Sequence, residues 1–165
     1  MPGARDDEAG LLSSAESVVA MAAPGEEIEV VVAHERETEV RAYEAEIESL
    51  TSSESRGIGV REVRNGRKGF AYAGTLDADA LVEVIGEARD NVEFATPDEH
   101  CAVAEPDGVP AAELDLYRPA LVDHSAEEKV AIALELERLT RLADTRISGV
   151  ETAEYGDSVL SLIHI

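Results

Sequence analysis

The chain has 165 residues, a formal net charge of −22 from 36 acidic against 14 basic residues, and an apolar fraction of 44%. That charge argues against nucleic acid and anionic membrane as partners, because their phosphates would repel it. The apolar content excludes wholesale disorder, and the length allows one domain with a buried core, or one domain and the start of another.

Only Lys68 and Lys129 among the 14 bases are lysines. Acid excess with arginine over lysine points to a GC-rich genome or salt adaptation more readily than to an acidic mechanism. Cys101 is the single cysteine, which excludes an internal disulfide and fits a reducing compartment. The opening MPGARDDEAG lacks the basic start and apolar core of a signal peptide, and no apolar run approaches membrane-spanning length. The cytoplasm is the expected location.

In chain order, Leu11, Leu12, Ala15, Val18, Val19 and Ala22 recur at helical spacing, which predicts an amphipathic helix over 8–23 ended by Pro24-Gly25. EIEVVVAH (27–34) reads as a β-branched strand, and the looser alternation of TEVRAYEAEIESLTSS as one or two more. The clearest local signal is RGIGVREVRNGRKGFAYAG (56–74). Asn65-Gly66 is the preferred dipeptide for a two-residue type I′ hairpin turn, since both positions need positive φ. Pairing outward sets Arg64 opposite Arg67, Val60 opposite Ala71 and Gly59 opposite Tyr72. The two arginines are then expected to face solvent, and Gly57 and Gly59 to leave space for the Tyr72 ring. Gly69 completes the glycines of this hairpin. The GIG triplet is no phosphate loop, because it sits inside a hairpin arm and not between a strand and a helix.

A second helix is expected over 75–95, with Leu81, Val84, Ile85, Ala88, Val92 and Ala95 as its apolar stripe and Pro97 just beyond its end. The stretch 97–124 holds four of the six prolines and reads as a linker. Ser125 and Glu128 fit a capping box opening a long helix through Leu134, Leu139 and Leu142 to about Ala143. TRISGVETAEY (145–155) is a plausible strand. Consecutive strands with helices before and after predict an α+β fold, with an antiparallel or mixed sheet packed against flanking helices.

No catalytic constellation is visible. His34-Glu35 begins like HExxH, but Thr38 and Glu39 follow where a second histidine would be needed, so His34 reads as a surface residue. The spacing of His100, Cys101 and His124 matches no zinc pattern, and Cys101 has no base nearby in sequence to make it a nucleophile. The acidic run EAEIES (44–49) is ordinary in so acidic a chain. Arg56, Arg61, Arg64, Arg67 and Lys68 are less ordinary, holding five of the 14 bases within 13 residues. They either meet a partner surface or peptide, or neutralise the neighbouring acidic strands.

The ordered series SRGIGVREVRNGRKGFAYAGTLDADALVEVIGEARDNVEFATPDE (55–99) resembles the N-terminal region of the TldD/PmbA family of modular metallopeptidases. The run V-R…E-I-E-S before it is similar in style, as are DHSAEEKVAIALELERLTRLADTRI and VETAEYGDS after it. The resemblance covers nearly all of 8–158, and the turn N-G-R-K-G-F looks closer to the PmbA (TldE) side. Glu62 departs from it, standing where a more apolar strand is common, and so does Asp77, where Ser is frequent. The resemblance implies an N-terminal α+β domain over 1–98, a linker over 99–124 and the truncated start of a central domain over 125–159. It also implies a zinc site of HExxxH type in a C-terminal domain beyond this chain, a partner subunit pairing TldD with PmbA (TldE), and peptide substrates in the full complex. No catalytic or metal-binding residue and no cofactor falls within the chain itself. The last six residues, LSLIHI (160–165), are what CTG TCT CTT ATA CAC ATC encodes, a transposon end used in preparing sequencing libraries. They are therefore expected to be adaptor translation joined to a gene cut near Val159, with a genuine C-terminal strand as the alternative. The second functional reading is a free-standing protein-binding module that presents the basic hairpin 56–68.

Overall fold

The computed structural model describes residues 4–105, 108–110, 112, 114, 116–118, 120 and 124–165, the first four by backbone alone. Its elements run α1 (Ala4–Val19), β1 (Glu27–Tyr43), β2 (Glu46–Arg64), β3 (Arg67–Ala73), α2 (Ala78–Phe94), α3 (Ala126–Ala143) and β4 (Ala153–His164). The strands form one antiparallel sheet of order β3-β2-β1-β4, packed with the three helices in an α+β fold.

The chain divides into two compact units, one of Met1–Glu35, Ser55–Ala111 and Leu160–Ile165, the other of Arg36–Glu54 and Ala112–Val159. In the first, Val30 and Val32 of β1 and Ile58 and Val60 of β2 alternate inward with the period of a strand. They share a core with Leu11, Ala15 and Val18 of α1 and with Leu81, Val84, Ile85 and Ala88 of α2. The apolar stripe expected for α2 is buried from Leu81 to Val92, while Ala95 forms its C-cap. The core of the second unit is small: Val40, Ala42, Ala133 and Ala153, with Val130, Leu134 and Tyr155 packed against it.

The hairpin register matches the expected one, with Arg64 opposite Arg67, Val60 opposite Ala71 and Gly59 opposite Tyr72. Asn65 and Gly66 adopt φ of 53° and 68°, the type I′ geometry that Asn tolerates and Gly, without a Cβ, adopts freely. α3 begins with the expected capping box: the Ser125 amide donates to Glu128 Oε2 at 2.7 Å and the Glu128 amide to Ser125 Oγ at 3.2 Å.

Three elements differ from expectation. α1 ends at Val19, and the following segment turns through Gly25 at φ 87°, where the Ala23 amide donates to Glu26 Oε2. The strand expected at 27–34 does not stop but continues to Tyr43, since nothing in 35–42 breaks pairing. Its turn is Glu44-Ala45, two non-glycine residues at φ 52° and 63°. Such residues avoid this region by about 1–2 kcal/mol each, so the turn needs outside support. Glu137 of α3, 1% exposed, supplies it by accepting a 2.9 Å hydrogen bond from the Ala45 amide. Finally, the strand expected at 145–155 starts only at Ala153 and runs on to His164, with the Val30 and Ile165 amides and carbonyls exchanging bonds of 2.8 and 3.0 Å.

One packing constraint stands out. A methyl group built on Gly69 would lie 2.0 Å from the Ala88 carbonyl oxygen and 2.6 Å from the Val92 amide, so α2 rests on the backbone of β3. Gly69→Ala is therefore expected to cost about 3 kcal/mol or more, as overpacking against backbone does. Gly86→Ala, inside α2 with open space around it, is expected to gain about 1 kcal/mol. Urea unfolding of both variants checks the pair, and equal stabilities would contradict the close approach. Ala45→Gly relieves the left-handed turn and is expected to stabilise by about 1 kcal/mol. A loss of thermal stability would show instead that the Glu137 contact leaves no strain to relieve.

Candidate functional site

The hairpin that carries the basic cluster is built by period-two alternation, which sends Arg64 and Arg67 to the helix side of the sheet and Arg61 and Lys68 to the other. Arg64 and Arg67 do not face open solvent as expected. Arg64 Nη2 meets Glu93 Oε1 at 2.7 Å, and Arg67 Nη1 donates to the Glu93 carbonyl at 3.2 Å. The last turn of α2 thus separates two like charges that face each other across the strands. On the opposite side Arg61 pairs with Glu29 of β1. Lys68 is exposed, and Arg56 is exposed with partners of its own. Arg64 and Arg67 thus meet the end of α2 on one face and Arg61 meets β1 on the other, with Lys68 exposed.

Glu62 lies among them, fully buried, on the same inward row as Ile58 and Val60. That parity was readable from the sequence and would have placed it inside. Its nearest cation is Arg64, Nε to Oε1 3.3 Å. Burial pushes the Glu62 carboxyl above its ordinary value, the Glu26 carboxylate adds to this, and Arg64 and Arg89 oppose it. Arg89 of α2 clasps Glu26 through Nε at 3.0 Å and Nη2 at 2.8 Å and also donates to the Met21 carbonyl. That clasp holds the Glu26 carboxyl below its usual range.

On the side of the sheet away from the first unit's core, Val31, Ala33, Gly57, Gly59, Phe70 and Tyr72 line an open groove of about 600 Å³. The ring beside Gly59 is that of Phe70, not Tyr72: a Cβ at Gly59 would sit 3.3 Å from it. Tyr72 is 77% exposed and stacks on Phe70 with centroids 6.5 Å apart. Gly57 instead allows the approach of the Ala73 carbonyl, and Gly66 that of Asp98, whose amide donates to the Gly66 carbonyl at 2.7 Å.

In the second unit Lys129 is buried beside Asp157 at 2.7 Å and donates to Thr38 Oγ1 at 3.2 Å, in a polar cavity of about 130 Å³ that Val159 also lines. Burial raises the Tyr155 phenol, and its hydrogen bond to Asp157 raises it further. Neither this pair nor Glu137 was singled out by sequence reasoning, because helical and strand partners this far apart leave no local pattern.

His34 is buried rather than on the surface, following Val30 and Val32 on the inward row. The His100 amide is held by Asp98 and that residue is exposed; the Cys101 amide bonds the Asp98 carbonyl; and His124 Nδ1 lies 3.4 Å from Glu128. Among the described residues no group of three or more His, Cys, Asp and Glu could hold a metal ion.

Residues 28–92, which contain β2, β3 and most of β1 and α2, match the model of PmbA/TldA metallopeptidase domain 1. This region is similar to the first domain of PmbA/TldD proteins. The chain is also 28% identical over 142 residues to Metalloprotease PmbA of Escherichia coli O157:H7, covering 82% of itself and 31% of that protein. Its fold superposes on TldE from Thermococcus kodakarensis with a TM-score of 0.74 at 20% identity, covering 96% of this chain and 34% of the other. A candidate modulator of a DNA gyrase from Thermotoga maritima gives 0.78 at 18% identity, covering 93% and 34%. The chain spans about a third of the length of these relatives.

The buried Glu62 makes stability depend on pH. Its carboxyl titrates higher folded than unfolded, so the folded state holds the proton more tightly and stability falls as pH rises from about 4.5 through the raised value. Glu62→Gln is expected to flatten that fall, matching the parent near pH 4 and equalling or exceeding it at pH 8. Urea midpoints across the range check this, and a variant weaker at pH 8 would show the charged Glu62 to be a net stabiliser.

Proposed function

We propose that the chain is the N-terminal part of a subunit of a TldD/PmbA-type zinc metallopeptidase complex that processes peptides or unfolded segments. The observation that carries this reading is the domain 1 match at residues 28–92 in a chain that spans a third of its relatives. Its own role is then assembly and enclosure of the peptide chamber, next to a partner subunit of the TldD and TldE pair. The domain division 1–98, 99–124 and 125–159, with 160–165 as adaptor translation, belongs to the same reading. So does the PmbA (TldE) side of the pair, which the E. coli and Thermococcus relatives favour by name.

Zinc in a hydrolytic site needs three protein ligands converging on one point. His34 lies inward in the sheet, His100 and Cys101 sit on the loop after α2, and His124 leans on Glu128 at the start of α3. These donors do not fit that requirement, so no step of hydrolysis is assigned to residues of this chain. What its residues do is hold a rigid α+β layer. The Gly69 approach sets α2 against β3, and the Arg89–Glu26 clasp fixes α2 to the turn before β1. No helix among the described residues is long and apolar enough to cross a membrane. Work in the cytoplasm is part of the proposal.

Sequencing the source locus across codon 159 from unfragmented DNA tests this directly. The frame is expected to run on into a further domain. An HExxxH motif there marks a catalytic subunit, and its absence marks the partner subunit. The 165-residue chain is expected to leave unfolded peptide intact, whereas the full-length pair cleaves it until a chelator is added. A genomic stop codon directly after Ile165, or cleavage by the short chain alone, overturns the reading.

A further inference from the structure

α3 is apolar on two sides. One side, Val130, Ala133 and Leu134, packs into the second unit's core. The other carries Ile132, Leu136, Leu139 and Leu142, exposed by 43%, 47%, 52% and 69%. At 100° per residue Ile132, Leu136 and Leu139 fall within about 60° of one another on one stripe, centred away from Val130 and Leu134, with Leu142 at its margin. A surface helix needs one such stripe, and a second calls for a second partner. The imbalance is sharpened by the unit's own core, which buries one valine and three alanines while these larger side chains face water.

We infer that the stripe Ile132–Leu136–Leu139 is the seat of the polypeptide that follows Val159 in the full-length subunit, so that α3 becomes a shared element between this part and the next. The inference rests on the proposed function. Two observations choose this occupant. The relatives extend for about two thirds of their length beyond what this chain covers. Val159, where the native chain is proposed to continue, lines the same small cavity as Lys129 on α3, so the chain passes beside this helix at that point. A second copy of this chain is the weaker occupant, because association at a net charge of −22 is opposed by self-repulsion.

Accessibility of a thiol at the stripe tests the seat. Cys101→Ser/Leu139→Cys is prepared in the 165-residue chain and in the full-length product of the locus. Cys101→Ser/Glu127→Cys, on the charged side of α3, serves as the control. Maleimide labelling at position 139 is expected to be rapid in the short chain and slower by about tenfold or more in the full-length protein, as burial limits reaction to transient opening. Labelling at 127 should be alike in both. Equal rates at 139 in the two proteins overturn the inference while leaving the proposed function standing. Protection at 139 already present in the short chain, and growing with its concentration, assigns the stripe to a second copy and also overturns it. A locus that ends at Ile165 removes the proposed function and this inference together.

Discussion

The first unit depends on how near α2 comes to β3. With no side chain at Gly69, helix backbone lies against strand backbone, and the residues that close the layer there are as small as Ala71 and Ala88. The same approach brings the end of α2 over the hairpin tip. Asn91 donates to the Phe70 carbonyl at 2.9 Å, and Glu93 meets Arg64 through its carboxylate and Arg67 through its carbonyl. Remove the approach and the arginine pair loses its common partner, the inward row of β2 loses its cover, and the type I′ turn stands without support from the helix.

That geometry settles how an acidic chain uses its few cations. Arg61, Arg64 and Arg89 each sit against a carboxylate from another element. Lys129 does the same against Asp157 in the second unit. Exposed pairs of this kind contribute little, but partly buried ones fix relative position, because separating them would strand a charge away from water. Glu62 is the exception. It is buried with cations near, and among the described residues its carboxylate oxygens accept no well-aligned hydrogen bond, so burial governs its titration. Of the basic cluster conspicuous in sequence, Arg61 and Arg64 are ion-paired with carboxylates and Arg67 donates to a carbonyl, while Lys68 is exposed.

The sequence made the hairpin legible because its determinants are local: Asn65-Gly66 fixes the turn type, the turn type fixes the register, and the register fixes every pair outward to Ile58 and Ala73. α2 and the capping box of α3 were legible for the same reason. The turn at Glu44-Ala45 was not, since its residues dislike the conformation and its support comes from Glu137, 92 positions away in the chain. Period two, followed one step further, would have taken His34 and Glu62 inside. Polarity argued for the surface, and the pleat overrode it. Which ring fills the space over Gly59 was beyond a pairing diagram, because Tyr72 sits directly opposite in register while the Phe70 ring reaches the glycine from two residues away.

The surfaces differ in what they can accept. A surface dense in carboxylates repels other acidic proteins at long range and admits close contact only where charge is sparse or opposite. The α3 stripe is such a place. On the same helix Glu135 and Arg138 pair at 2.6 Å, so two of its charges offset each other. The groove beside Phe70 is similar, with Arg61 and Glu29 paired at its rim. In both, an ion pair accompanies exposed apolar area, so close approach there meets less repulsion than elsewhere on so acidic a chain.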